Sequence, residues 1–136
     1  MGGHGARRTP RLAATYAAEF NLAFSSLEDT GAQFQRVRAA CEAIGRRPDQ
    51  LAYSAAQVIC CGRTGAEVAA RARAIGREVD ELRVNGLCGS PEEVVAKLAT
   101  YAGVGADRIY LQILDLADLD HLALIAEAVL PHCASM

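Results

Sequence analysis

Gly2-Gly3-His4-Gly5, followed by Arg7-Arg8-Thr9-Pro10, is the stretch whose residue types could do chemistry. Glycines lack a Cβ, so their backbone can approach an anion closely, and the first free N–H groups of a following helix point at it. The pattern therefore reads as a loop that grips phosphate. Thr9 reads as the N-cap with Pro10 at N1, and Arg7 and Arg8 add positive charge. Such loops follow a β-strand, yet only Met1 precedes Gly2. The expectation is of a chain taken, naturally or artificially, from a larger α/β fold. Glycine-rich starts also occur as disordered leaders, and the loop by itself leaves that reading open.

Other candidates carry weaker chemistry. His121 stands beside Asp118 and Asp120, a combination that can hold a metal, but carboxylates at a helix start more often satisfy backbone N–H groups. No metal site is therefore expected. Cys60-Cys61 ends an apolar run; without C-x-x-C spacing, a redox pair between these neighbours is not expected, because adjacent strand residues face opposite ways. Gln57 and Gln112 are polar residues within apolar runs, either satisfied core amides or groups aimed at a site. Tyr53 and Tyr110 read as packing anchors with a solvated hydroxyl. His132, near the C-terminus, reads as solvated.

Composition narrows the classes. The 136 residues suit one domain, 1–136, with a real core; 51% are hydrophobic and 22% charged, as in globular proteins. A net charge of −2 supplies no basic field for nucleic acid or an anionic membrane, and aromatic content of 5% without Trp offers no base-stacking platform. The arginines are scattered, and most read as solvating helix faces. No apolar run approaches the roughly 20 residues of a membrane span, and no signal-peptide stretch is seen. Five cysteines, an odd number without metal spacing, fit a reducing cytoplasm.

The elements that must position these residues alternate in period. Pro10 to about Ala17 reads as helix and residues 19–24 as a strand. A helix follows, with Phe34, Val37, Cys41 and Ile44 on one face, ending at Gly45. Leu51 to Cys61 is a β-prone run closed by Gly62-Arg63-Thr64-Gly65, and a helix over about 66–75 buries Val68, Ala69, Ala72 and Ile75. Residues 78–87 suggest a short helix and then a loop. Ser90-Pro91-Glu92-Glu93 is a strong helix start, with a cap, a Pro at N1 and acids against the positive helix end. Residues 108–114 read as a strand, and Leu122, Ile125, Ala126 and Val129 as the stripe of a last helix ending before Pro131. The result is α/β, with about three parallel β/α units. Three strands cannot close a (β/α)8 TIM barrel, which takes about eight strands and about 250 residues, so the chain reads as a partial barrel, roughly its second half. Such a piece leaves sheet edges and apolar faces bare, which predicts a homo-oligomer.

GGHGARRTPRLAATYAAEFN, GSPEEVVAKLATYAGVGADRIYLQ and the closing Val129-Leu130-Pro131 together resemble the C-terminal half of the luciferase-like monooxygenase superfamily. These are flavin- and coenzyme F420-dependent oxidoreductases built on a TIM barrel. The resemblance runs in order over essentially the whole chain. It implies hydride transfer between reduced F420, or alternatively FMN, and a small organic substrate. It also implies that Gly2, Gly3, His4 and Gly5 contact the phosphate-bearing side chain of the cofactor, with Arg7 or Arg8 nearby. His4 departs from the commoner all-glycine loop. The residues for the cofactor ring, the substrate and any proton donor lie mostly in the N-terminal half, so no catalytic residue is assigned. The alternative is a non-catalytic half-barrel that self-associates or serves as an interaction domain.

Overall fold

A computed structural model describes residues 1–133. The chain divides into two compact units, Met1–Ala56 with Tyr101–Tyr110, and Gln57–Thr100 with the residues from Leu111 onward.

The first unit holds α1 (Arg8–Tyr16), β1 (Glu19–Ala23), α2 (Leu27–Ala43), a 3-10 turn (Pro48–Gln50) and the start of β2 (Ala52–Cys61). β1 and β2 pair in parallel, from Glu19↔Ala52 to Ala23↔Ala56. Alternation in β1 buries Phe20 and Leu22. α2 starts where Ser26 Oγ accepts the Asp29 N–H at 3.0 Å, and it ends at Gly45, whose φ of 75° suits a residue without a Cβ. Its buried stripe is Thr30, Gln33, Phe34, Val37 and Cys41; Ile44, expected on that stripe, caps the helix and is exposed. Phe34 meets Phe20 and Tyr53 edge-on, with ring centroids 6.3 and 5.3 Å away. The Arg38 guanidinium lies 4.3 Å from the Tyr53 centroid and donates to the Gly105 carbonyl at 3.1 Å.

The second unit carries the rest of β2, then α3 (Gly65–Ala74), α4 (Val79–Asn85), β3 (Leu87–Gly89), most of α5 (Pro91–Gly103), α6 (Leu119–Ala128) and a 3-10 turn (Leu130–His132). β3 pairs in parallel with β2, Ile59↔Leu87 to Cys61↔Gly89. Nearly every residue of β2 is buried, the mark of a strand covered on both faces. At α5, Ser90 Oγ accepts the Glu93 N–H at 3.3 Å and Glu93 Oε2 accepts the Ser90 N–H at 2.7 Å, a reciprocal capping box. A fourth strand, β4 (Arg108–Gln112), also pairs with β2.

The α/β class and the parallel strands agree with the sequence reading, and the strand ends differ by a residue or two. Three points are corrected. β3 was not foreseen: Leu87 fell at the end of the stretch read as short helix and loop, and three consecutive buried residues carry no alternation to betray a strand. α1 begins at Arg8 with Arg7 at the N-cap position, so Thr9 and Pro10 lie two positions deeper, at N2 and N3. Pro10 is tolerated there because the first-turn N–H groups lack helical partners anyway. In α6 the buried face is His121, Leu124, Ile125 and Val129, whereas Leu122 and Ala126 are exposed.

Candidate functional site

Residues 1 and 2 run alongside β1. The Met1 amino group donates to the Glu19 carbonyl at 2.9 Å, Asn21 N–H donates to the Met1 carbonyl at 2.7 Å, and Gly2 bridges Asn21 in parallel. Gly3, His4 and Gly5 therefore run on toward the C-terminal end of β1, the end at which parallel barrels place their chemistry. A Cβ on Gly2 would run into the Asn21 carbonyl oxygen, so this glycine serves the close strand pairing. Gly3 has φ 138°, a conformation natural only to glycine. At Gly5 a Cβ would stand 2.8 Å from Thr9 Oγ1, inside the turn that leads to α1.

Gln33, which sequence reasoning passed over, holds this loop. Its Nε2 donates to the Gly3 and Gly5 carbonyls, both at 3.0 Å, and its Oε1 accepts from Arg36 Nη1 at 2.9 Å. The two carbonyls are thereby turned inward onto a buried amide. The signal was available: Gln33 falls on the same helical stripe as Thr30, Phe34 and Val37.

His4, Arg7 and Arg8 are exposed. Arg7 and Arg8 come together with Arg11, one helical turn on, around a shallow groove of about 460 Å³ also lined by Leu12, Thr15 and Tyr16. The glycines do not line that groove. No acidic residue lies in the first turn of α1, so the three guanidinium groups add to the positive end of the helix without a local carboxylate to offset them. Arg11 was also passed over, although i, i+3 and i, i+4 spacing from Arg8 and Arg7 predicts the grouping. At the same end of β1, Phe24 is exposed and holds φ 53°, rare for a bulky residue, with its N–H on the Ala56 carbonyl at 2.8 Å.

The other candidates resolve into structural roles. His121 is buried, and its Nε2 accepts the Cys61 N–H at 3.0 Å; the ring proton therefore sits on Nδ1. Asp118 Oδ1 caps α6 through the His121 N–H at 2.8 Å, and its carboxylate takes Arg71 Nε at 2.7 Å. Arg71 Nη1 also donates to the Cys61 carbonyl at 2.9 Å. Cys60 faces the apolar cluster under α3 and α4. Gln57 is buried and Gln112 exposed. Tyr110 keeps an open hydroxyl, which donates to Glu19 Oε1 at 3.0 Å. Tyr53 does not: its hydroxyl is buried, and desolvation, with Cys41 alongside, pushes its pKa up to about 12.

Burial, and then the Arg71 charge, push the His121 pKa below its ordinary value, against the pull of Asp118 and Asp115. The folded protein thus binds a proton at His121 less readily than the unfolded chain does. Stability from this group is present above the unfolded histidine pKa of about 6.5 and is lost as pH falls from there through the folded value. Urea midpoints measured from pH 7.5 downward should fall in that window, and in His121→Gln, which can still accept from Cys61, that part of the slope should vanish. An unchanged slope would mean that His121 does not carry it.

No family model matches the chain, and no curated protein does. Solved structures do. A coenzyme F420-dependent tetrahydromethanopterin reductase from Methanopyrus kandleri superposes with a TM-score of 0.76 at 15% identity, covering 97% of this chain and 50% of the reductase. EDTA monooxygenase from Chelativorans sp. BNC1 gives 0.75 at 18%, over 98% and 45%. The oxygenating constituent of 3,6-diketocamphane monooxygenase from a Pseudomonas putida plasmid, solved with FMN, gives 0.66 at 18%, over 96% and 47%. The chain shares the fold of these enzymes and spans about half their length.

Proposed function

We propose that this chain is the C-terminal half of a luciferase-like oxidoreductase barrel and supplies its cofactor-phosphate site. The observation that carries the reading is the Gln33-held glycine loop, running alongside β1 toward its C-terminal end and into a helix start bearing Arg7, Arg8 and Arg11. The fit is that of a cradle kept open: side chains are excluded at Gly3 by its φ and at Gly5 by Thr9, leaving backbone at the surface for an anion. Gly2, Gly3, His4, Gly5, Arg7 and Arg8 would hold the phosphate-bearing tail, with coenzyme F420 placed ahead of FMN. The cofactor would supply hydride transfer to or from a small organic substrate. The residues of this chain bind and orient: the loop fixes the tail, Gln33 fixes the loop, and the arginines neutralise charge. A single-domain, cytoplasmic protein without nucleic-acid or membrane partners fits this role, and no described helix is long and apolar enough to cross a membrane.

Titrating F420 and FMN against the chain, alone and in a barrel completed by an upstream half, tests the proposal. Saturable micromolar binding of either, with turnover in the completed barrel, supports it; binding of neither in the completed barrel refutes it.

One observation favours a second reading, a self-associating half-barrel. Along β4 no residue is fully buried, and Leu114, Leu116, Leu119 and Leu122 of the second unit are all exposed. Apolar surface of this kind associates. Sedimentation of the isolated chain should give dimers or larger species; a monodisperse monomer with a sharp, high melting transition would exclude this expectation.

A further inference from the structure

Cys60 and Cys88 are register partners on the parallel pair β2–β3. Partners of this kind share a face of the sheet, and strands about 4.7–4.9 Å apart fall within the Cα separation of about 4.4–6.8 Å that a disulfide spans. Both sulfurs belong to one apolar cluster that includes Val68, Ala72 and Leu82, and the Cys60 S–H donates to the Val68 carbonyl at 3.6 Å. Both are free. Cys61, the next residue, projects to the opposite face.

The surroundings of the pair are unequal. The neighbouring Cys60 thiol first, and then the positive charges of Arg83 and Lys97, lower the Cys88 pKa against burial and the nearby Glu93. Lys97 is itself fixed, its Nζ donating to the Arg83 and Val84 carbonyls at 2.5 and 3.1 Å. Cys60 is held up by its contact with Cys88 and by burial. Cys88 is 7% exposed against 1% for Cys60, so it is also the more accessible sulfur. One thiol is thus placed as nucleophile and its partner as the group that resolves it.

We propose that Cys60 and Cys88 form an oxidation site, a dithiol that hydrogen peroxide closes to a disulfide fastening β3 to β2. The Cys88 thiolate attacks one peroxide oxygen, the O–O bond breaks, hydroxide leaves, and Cys88 becomes a sulfenic acid. Cys60 sulfur then attacks the Cys88 sulfur; the S–O bond breaks, and the departing oxygen leaves as water with the Cys60 proton. Two thiols are oxidised by two electrons, one peroxide is reduced, and two waters result. A dithiol reductant reverses the change. The site is independent of the cofactor reading.

The test treats the folded full chain with hydrogen peroxide, blocks remaining thiols, digests with trypsin without reduction and analyses the peptides by mass spectrometry. The expected product joins residues 47–63 to 84–97, lighter than the two peptides by two hydrogens, with two titratable thiols lost and restored by dithiothreitol. It should persist in Cys61→Ser and be absent from Cys60→Ser and Cys88→Ser. Cys60 in the Cys88→Ser protein should react at least about tenfold more slowly than Cys88 in the Cys60→Ser protein. A cross-link that survives in Cys60→Ser, conversion of Cys88 to sulfinic acid without any cross-link, or thiols that react only in urea would each overturn the proposal. The last two readouts use the parent sequence, so a variant that fails to fold does not shield it.

Discussion

Replacing Arg71 with alanine is expected to lower folding stability by about 2–4 kcal/mol, measured as a drop in urea midpoint at unchanged slope. Arg71 joins three elements of the second unit. From α3 it reaches the end of β2 through the Cys61 carbonyl and the start of α6 through Asp118. Its side chain is 16% exposed and that of Asp118 22%, so solvent screens the pair weakly. Removing the guanidinium leaves the Cys61 carbonyl without this donor and the carboxylate without its countercharge. Against a total stability of about 5–15 kcal/mol, that is a large share. Arg71→Lys should recover less than half of the loss, because an ammonium cannot serve the carboxylate and the carbonyl in the same forked geometry. Arg71, followed by the His121 N–H, holds the Asp118 pKa below the ordinary carboxylate range. That stability is present above the unfolded pKa and lost as pH falls through the folded one. In Arg71→Ala the acid limb of the stability curve should therefore move to higher pH. A loss below about 0.5 kcal/mol would reduce the pair to a solvated surface contact.

Which parts of this molecule were legible follows from how far each signal reaches along the chain. The helix start at Ser90-Pro91-Glu92-Glu93 is complete within four residues, and Ser90 caps it as read, with Glu93 adding the reciprocal bond. Gly45 ends α2 as read, because the requirement for positive φ is local. The arginines were misread for the opposite reason. Arg46 donates to the Ala14 and Ala17 carbonyls about 30 positions away, Arg38 lies over Tyr53, and Arg71 binds Asp118. A guanidinium on a helix gives the same local pattern whether it meets water or a distant carbonyl. His121 failed similarly: counted as polar, it moved the expected stripe of α6 off its true face, where the Cys61 N–H satisfies it. Cys60 and Cys88 are 28 positions apart, and only the register of β3 on β2 brings them together. In the candidate site the glycines and Arg7-Arg8 were visible as a motif; the helical stripe marks Gln33 as buried, but its partners are backbone carbonyls that sequence does not mark.

In a barrel completed by its upstream half, Gly5→Val is expected to abolish measurable binding of F420 or FMN. A side chain there meets Thr9 Oγ1 and must either displace the start of α1 or push the loop outward into the anion's place. Arg8→Ala removes one charge-assisted contact and should weaken binding about 10–100-fold, with a shallower dependence on salt. Gln33→Leu separates two explanations of the loop. The leucine keeps the volume but leaves the Gly3 and Gly5 carbonyls without their shared donor, so the loop loses its fixed form while its sequence stays intact. If the loop binds by preorganised backbone N–H groups, Gln33→Leu should weaken cofactor binding at least about tenfold although Gln33 touches no ligand; if it binds by arginine charge alone, only Arg8→Ala should matter. Calorimetric titration of the folded variants decides between these outcomes, with circular dichroism confirming that each is folded. Should Gly5→Val and Arg8→Ala both bind either cofactor as tightly as the parent, the loop is a linker and the phosphate site must be sought elsewhere in the barrel.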